Sequence, residues 1–389
     1  MTKYAAILVG GRGKRLGIIT EKIPKPLIKI NNKEFLKYLL YHIASYNFKK
    51  IFLICKYKSN LFFKKFNNKT YFNSKIICIK ENKFKDTGGA LFELKKKIND
   101  NFFLFNGDSI FNLSINDINK LKKTKKIATI ALTKRKHYSS NQKLSSLKVN
   151  KNIIFLSKKG KFMNGGVYYF TKEIFQFISE SRLSLEKELL PNLICKKLVN
   201  GIYFNRKFVD IGTKSKLKFI KNNVHKYLNF KCAFLDRDGV INEDTGYVFK
   251  LNKYKILPGV IKAIRYLKKK NYLVIVITNQ SGIGRKYYTK IDFDKLCNFL
   301  NNKLNKDNDL IEEFFFCPHH PRNNCKCRKP KTFLVEKAVK EWCVSKKLSF
   351  MIGDKVSDKL CAKKSKIKFF YKKKINFYKQ IFSIVNNKI

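Results

Sequence analysis

No apolar run in this 389-residue chain approaches the roughly 18 residues a membrane-spanning helix needs; the longest, such as Leu273 to Ile277, have the length of buried strands. The N-terminus offers only Tyr4 to Val9 before glycines begin, too little for the core of a secretion signal. A soluble, cytoplasmic protein is therefore expected. Arginine is scarce: it supplies 10 of the 85 basic residues, and the rest are lysine. Acidic residues number only 27, so the formal charge is +58. A nucleic-acid-binding face would draw on arginine for bidentate contacts and gather its charge in one stripe. Here the lysines spread over the whole chain, and lysine, asparagine, isoleucine and phenylalanine are raised together, the mark of a coding bias. Small phosphorylated metabolites are the partners such a charge favours, with no nucleic acid and no membrane. Without a secretion signal, the ten cysteines read as thiols. Cys55, Cys78 and Cys232 lie in apolar stretches and are expected in cores. No internal repeat is visible.

What is present is apolar content of 44 %, enough for real cores, and a length that suggests two or three domains. Strand-like apolar runs alternate with amphipathic segments, which argues for α/β layering. One set of phosphate-type motifs ends before the polar stretch Lys221 to Lys231, and a second set begins after it. The boundary is placed near 222–230, giving domains 1–225 and 226–389.

In the first half, Tyr4 to Val9 runs into Gly10-Gly11-Arg12-Gly13-Lys14-Arg15. Glycines there let backbone N–H groups approach a phosphate chain, and a following helix start would favour anions. The loop fits neither the dinucleotide-binding nor the P-loop spacing. Pro24-Lys25-Pro26-Leu27 follows, its prolines expected to hold Lys25 in a rigid extended segment. Asp86-Thr87-Gly88-Gly89-Ala90, Asn106-Gly107-Asp108, Asn164-Gly165-Gly166, Glu186 and Asp210-Ile211-Gly212-Thr213 come next. In this order the motifs resemble those of sugar-phosphate nucleotidylyltransferases, and most closely the heptose 1-phosphate guanylyltransferase group. The resemblance implies a Rossmann-like sheet and an in-line attack by a sugar 1-phosphate on a nucleoside triphosphate. It implies that Gly10, Gly11 and Gly13 cradle the nucleotide, with Gly88 and Gly89 in a second loop. Arg15 would lie on the triphosphate and Lys25 at the transferred phosphoryl group. Asn164, Gly165 and Glu186 would hold the sugar, and Asp108 and Asp210 would hold Mg²⁺. For Glu186 the alternative is a helix-start acid capping Ser184. The motifs do not give the base.

In the second half, Cys232 to Leu235 ends in Asp236-Arg237-Asp238-Gly239-Val240. Thr278-Asn279-Gln280-Ser281 follows a second strand pattern, then Arg328-Lys329-Pro330, then Gly353-Asp354-Lys355 with Asp358 after a third. This set resembles the haloacid-dehalogenase phosphatase superfamily. The resemblance implies a Rossmannoid domain in which Asp236 is the nucleophile and Asp238 the general acid and base. Asp236, Asp354 and Asp238, the last through its carbonyl, would hold Mg²⁺, and Thr278 and Lys329 would hold the phosphoryl oxygens. Asn279, Gln280, Ser281 and Lys355 would complete the binding site. Asp358 is expected either to orient this loop or to act directly.

Cys317, His319, Cys325 and Cys327 form C-x-H-x5-C-x-C, four soft ligands at the spacing of a closed structural Zn²⁺ site, with His320 an alternative to His319. Such a loop is found in heptose 1,7-bisphosphate 7-phosphatases and in histidinol phosphatases. Asp244-Thr245-Gly246-Tyr247 and Ser281 fit the heptose type. Asp244, Tyr247 and Arg328 are the residues expected to read the sugar. Together the halves imply a bifunctional enzyme of nucleotide-heptose synthesis for lipopolysaccharide or other surface glycans. A different enzyme pair, or a degenerate transferase half acting as a scaffold, remains the alternative.

Overall fold

The computed structural model describes residues 2–81, 86–123, 125–134, 146–179, 183–304 and 310–387. The chain divides into two compact units, Met1–Tyr227 and Leu228–Ile389. Among the described residues no helix is long and apolar enough to cross a membrane.

The first unit is built on a mixed sheet. Tyr4–Leu8 lies between parallel neighbours Lys50–Cys55 and Phe102–Asn106, and Ser74–Lys80 extends the sheet beyond Lys50–Cys55. Phe162–Phe170 runs antiparallel to both Phe102–Asn106 and Ala128–Lys134. The central strands are almost continuously apolar because helices cover both faces of a parallel sheet. Leu91 and Leu94 from helix Asp86–Lys95 pack on Ala6, Phe102 and Leu104 in that core. A separate ribbon pairs Ser109–Phe111 with Phe208–Asp210.

The second unit carries a parallel sheet in the order Glu313–Cys317, Tyr272–Asn279, Lys231–Leu235, Phe350–Gly353, Lys368–Tyr371. Helix Val260–Lys269 lays Val260, Ala263, Ile264 and Leu267 on the sheet, at the spacing of one helical face. Both architectures leave their ligand-binding crevice at the carboxyl ends of central strands, where chain direction diverges.

Two local expectations change. The glycine loop leads not directly into a helix start but into the 3₁₀ turn Lys14–Leu16, with the five-residue helix Ile18–Lys22 after it. A helix this short has little dipole to offer, so cationic side chains supply the charge there. Lys25 is not in an extended segment: it opens a single 3₁₀ turn, Lys25–Leu27, and is buried. Pro24 fixes the entry to that turn and Pro26 sits within it, so the prolines still hold Lys25 rigidly.

Candidate active sites

In the first unit the register of the parallel strands sets the site. Leu8 lies opposite Asn106, so the Gly10–Gly13 loop and the Asn106-Gly107-Asp108 turn leave the sheet side by side. Gly107 N donates to Leu8 O at 3.0 Å. A Cβ at Gly107 would stand 2.4 Å from that oxygen, so only glycine lets the turn close. A cleft of about 810 Å³ opens here, lined by Gly10, Gly11, Gly13, Thr87, Asp108 and Glu186 among others.

Lys25 Nζ lies 2.5 Å from Asp108 Oδ2. Asp210 stands opposite Ser109 across the ribbon, and Ile211 N donates to Asp108 O at 2.9 Å. Asp210 takes Gly212 N at 2.8 Å and Lys216 Nζ at 2.6 Å. The Arg15 guanidinium lies against the same turn, 3.3 Å from where a Gly212 Cβ would stand. Asp108 and Asp210 thus lie on adjoining backbone, and each carboxylate faces an ammonium group.

The helix-start alternative for Glu186 does not hold. Ser184 is capped by Glu188, which accepts from Ser184 N at 2.6 Å. Glu186 instead lines the cleft and accepts the Thr87 hydroxyl at 2.9 Å. Burial raises its pKa, with the Thr87 hydrogen bond opposing. The remaining predicted residues are not among the described residues that line this cleft. Gly88 packs on Leu183, its N donating to Leu183 O at 2.8 Å, and Gly89 follows it in helix Asp86–Lys95. Asn164 turns into a bulge of its own strand, donating to Tyr168 OH at 2.6 Å and accepting from Gly166 N at 2.9 Å. Gly165 packs on the Phe111 ring. Lys216 was not legible in the sequence: one lysine among so many carries no signal.

In the second unit the expected substrate-touching residues converge. Asp236, Asp238, Asp244, Tyr247, Thr278, Asn279, Gln280, Ser281, Arg328, Lys329 and Lys355 all line one cavity of about 320 Å³. Asp236 leaves strand Lys231–Leu235 with its N bonded to Ile352 O at 2.9 Å. Lys329 Nζ sits 2.8 Å from Asp236 and 2.6 Å from Asp358, all three buried. Burial alone would lower the Lys329 pKa, but the two carboxylates outweigh it and hold the amine above its ordinary range. Asn279 fixes this lysine through its backbone, accepting from Lys329 N at 3.0 Å.

Asp236, Asp354 and Asp358 bring carboxylate oxygens within 4.8 Å of one another. Burial pushes Asp236 up to about 6 against the pull of Lys329, and it raises Asp354 as well. Asp354 Oδ1 is buried without a hydrogen-bond partner among the described residues. Crowded, desolvated carboxylates with an orphaned oxygen fit a divalent cation, whose charge reverses each of these costs. The Asp238 side chain is not in this group. It accepts from Arg237 Nε and Nη2 at 3.1 and 2.9 Å, from Asn242 Nδ2 at 2.9 Å and from Gln280 Nε2 at 2.9 Å. Arg237, fully buried and also bonded to Val248 O at 2.8 Å, is a site residue the motif reading passed over.

Gly239 has φ +78°, and a Cβ there would lie 2.3 Å from Asp354 Oδ2. Gly239→Ala should therefore push Asp354 out of the cluster. We expect phosphatase activity to fall by at least 100-fold while nucleotidyl transfer is unchanged; steady-state assays of both activities on one preparation check this.

The thiol cluster assembles as expected. Cys317 Sγ and Cys325 Sγ are 3.4 Å apart, Cys325 Sγ and Cys327 Sγ 3.5 Å, and His319 Nδ1 lies 3.2 Å from Cys327 Sγ. Tetrahedral ligands at zinc-like bond lengths would be roughly 3.5–3.8 Å apart, so the four donors fit that ion. His319 is the histidine that falls in this cluster with the three thiols, whereas His320 Nδ1 accepts from Arg322 N at 3.2 Å. Arg328, which follows Cys327, reaches the cavity with Nη1 buried and unpartnered among the described residues. One zinc per chain should be found by metal analysis after gel filtration. Cys325→Ser should lose it and lower the melting temperature of the second unit, since metal binding of this kind contributes on the order of 10 kcal/mol to folding.

Residues 4–226, more than half of the chain, match the nucleotidyl transferase family. The chain belongs to the nucleotidyl transferases. Residues 231–381 match the family described as polynucleotide kinase 3 phosphatase. The D-glycero-beta-D-manno-heptose-1,7-bisphosphate 7-phosphatase of Helicobacter pylori is 43 % identical over 139 residues, 36 % of this chain and 80 % of that protein. The D-glycero-alpha-D-manno-heptose-1,7-bisphosphate 7-phosphatase of Campylobacter jejuni is 43 % identical over 128 residues, 33 % of this chain and 73 % of that protein. These relatives extend the membership to the heptose bisphosphate 7-phosphatases. Among solved structures, HddC from Yersinia pseudotuberculosis is 24 % identical with a TM-score of 0.47, covering 57 % of this chain and 100 % of its own. The inositol-1-phosphate CTP transferase from T. maritima is 21 % identical with a TM-score of 0.47, covering 55 % of this chain and 91 % of its own. The nucleotidyl transferase is thus joined in one chain to a phosphatase.

Proposed function

We propose that this enzyme removes the 7-phosphate of D-glycero-D-manno-heptose 1,7-bisphosphate and then transfers GMP from GTP to the heptose 1-phosphate. The phosphatase reaction is assigned to residues 226–389 and the transfer to residues 1–225. One observation carries the reading: the phosphatase relatives are named for the distal phosphate of a 1,7-bisphosphate, and removing it leaves a sugar 1-phosphate, the acceptor from which a nucleotidyl transferase builds a nucleotide sugar. The product of the second unit is then the substrate of the first.

In the phosphatase, Asp236 attacks the 7-phosphorus and the bond from phosphorus to the sugar oxygen breaks. Asp238 gives a proton to that oxygen. Water then attacks the aspartyl-phosphate, Asp238 takes its proton, and inorganic phosphate leaves. The four donors around Asp238 fix the orientation of its carboxylate in the cavity. Lys329 and Thr278 hold the phosphoryl oxygens, and Arg328, which lines the same cavity, serves the retained end of the substrate. In the transferase, an oxygen of the 1-phosphate attacks the α-phosphorus of GTP in line and pyrophosphate leaves. Lys25 and Arg15 neutralise the charge that develops, and Glu186 orients the sugar hydroxyls. Asp108 and Asp210 would hold one Mg²⁺ and Asp236, Asp354 and the Asp238 carbonyl another; when bound, the ion neutralises phosphate charge. Zn²⁺ on Cys317, His319, Cys325 and Cys327 is structural. Use of a nucleoside triphosphate suits a cytoplasmic reaction, and the product would serve lipopolysaccharide or other surface glycans.

The test is ³¹P NMR of either anomer of the bisphosphate incubated with the full chain and Mg²⁺. The 7-phosphate resonance should give way to inorganic phosphate while the 1-phosphate stays. Loss of the 1-phosphate first would overturn the assignment.

A further inference from the structure

Arginine is scarce in this chain, 10 of 85 basic residues, so a buried arginine answers a need that lysine does not meet. Arg237 is such a residue. It lies between Asp236 and Asp238, just beyond strand Lys231–Leu235, with its side chain 0 % exposed. Burying a guanidinium is costly, and an apolar side chain of similar volume fills a core without that cost. Its contacts show what it does there. Nε and Nη2 form a fork on the two oxygens of Asp238, at 3.1 and 2.9 Å. Nη2 also donates to Val248 O at 2.8 Å, and the guanidinium lies over the buried Phe293 ring, 5.4 Å from its centroid. Two points outside the motif thus hold the fork still.

The other two donors to Asp238 are side-chain amides, each on a single oxygen: Asn242 Nδ2 on Oδ1 and Gln280 Nε2 on Oδ2, both at 2.9 Å. A single contact lets a carboxyl group rotate about its Cβ–Cγ bond, whereas a planar fork fixes both its plane and its direction. Gln280 lines the cavity, and Arg237 and Asn242 are not among the described residues that do. The lone pair that Gln280 occupies is therefore the one that faces a substrate. We propose that Arg237 is the positioning residue of Asp238: its fork aims that lone pair at the leaving oxygen. The inference rests on the proposed roles of Asp236 and Asp238, not on which sugar is bound. When the leaving oxygen takes the place of Gln280, that amide still has Thr278 Oγ1 at 2.8 Å and the Tyr288 hydroxyl at 2.6 Å. In the first step the Asp238 carboxyl proton passes to the sugar oxygen as its bond to phosphorus breaks and Asp236 gains the phosphoryl group. In the second, the Asp238 carboxylate takes a proton from the water that attacks the aspartyl-phosphate, and inorganic phosphate leaves. Both steps need the same aim.

The test compares two phosphate esters on the full chain. The leaving alkoxide of heptose 1,7-bisphosphate needs a proton; the leaving phenolate of p-nitrophenyl phosphate does not. Arg237→Met removes the fork and keeps the bulk. Its kcat on the bisphosphate should fall by about 10³-fold with KM within about threefold of wild type, the scale of lost general acid–base catalysis. With p-nitrophenyl phosphate, stopped-flow absorbance should show a first turnover within about fivefold of the wild-type rate, then slow turnover as aspartyl-phosphate accumulates. Arg237→Lys keeps the charge without the fork and should still lose about 100-fold on the bisphosphate. A merely structural arginine would slow the first turnover of both esters equally and give no burst, which overturns the inference. A lysine variant at the wild-type rate also overturns it, because charge alone would then suffice. Should Arg237→Met fail to fold, Arg237→Lys decides on the same two esters; if neither folds, Arg237 is structural and the inference fails. A wild type that cleaves p-nitrophenyl phosphate but not the bisphosphate overturns the sugar assignment alone, and the burst then decides the role of Arg237.

Discussion

Asp236→Asn should abolish phosphate release from heptose 1,7-bisphosphate while nucleotidyl transfer from heptose 1-phosphate and GTP runs at the wild-type rate. An amide keeps the size and hydrogen bonds of the side chain but cannot form the acyl phosphate. We expect a loss on the order of 10⁴-fold in kcat, the scale seen when a covalent nucleophile is removed. The fold should survive, because Lys329 keeps Asp358 at 2.6 Å when its partner at position 236 becomes neutral. Phosphate assays and pyrophosphate assays on the same preparation separate the two outcomes. Residual phosphatase activity above about 1 % would show that Asp236 is not the nucleophile.

The reciprocal variant is Asp108→Asn. Asp108 stands at the tip of the turn that Gly107 closes onto Leu8, its carboxylate on the buried Lys25. The amide oxygen can still accept from Lys25, so local packing should hold. What is lost is one of the two carboxylates available for the cation that accompanies the triphosphate. Charge stabilisation of this kind is worth several kcal/mol, so transfer should fall by about 10³-fold. Phosphate release should stay within a factor of two of wild type, because every residue of that site lies in the other compact unit. Equal loss of both activities would contradict the division of labour.

Where the sequence was legible, the reason is topological. A motif at the end of an apolar run becomes a site residue when the run is a central parallel strand, because neighbouring strand ends share one crevice. Asp236 after Leu235, Thr278 at the end of Tyr272–Asn279 and Asp354 after Gly353 meet for that reason alone. The zinc ligands were legible because all four lie within eleven residues, so their meeting needs no long-range geometry. What stayed hidden depends on packing across the fold. Lys56 and Glu81 sit 25 residues apart and become a pair only through strand register. Lys216 is hidden among other lysines, and Arg237 falls in the middle of a motif whose flanking aspartates draw the eye. Glu186 and Glu188 are equivalent in sequence, two residues apart on one helical turn. Only the fold shows that Glu188 caps Ser184 while Glu186 enters the cleft. Lys25 was expected in an extended segment, yet Pro24 leads straight into a turn, a choice local sequence leaves open.

The coupled reaction tests the central claim most directly. The wild-type chain is incubated with heptose 1,7-bisphosphate, Mg²⁺ and each nucleoside triphosphate in turn, and the sugar nucleotide is identified by mass. The expected result is GDP-heptose without a 7-phosphate, with one phosphate and one pyrophosphate released for each molecule formed. Phosphate release with no pyrophosphate from any triphosphate, or a nucleotide sugar that still carries its 7-phosphate after prolonged incubation, would contradict the account.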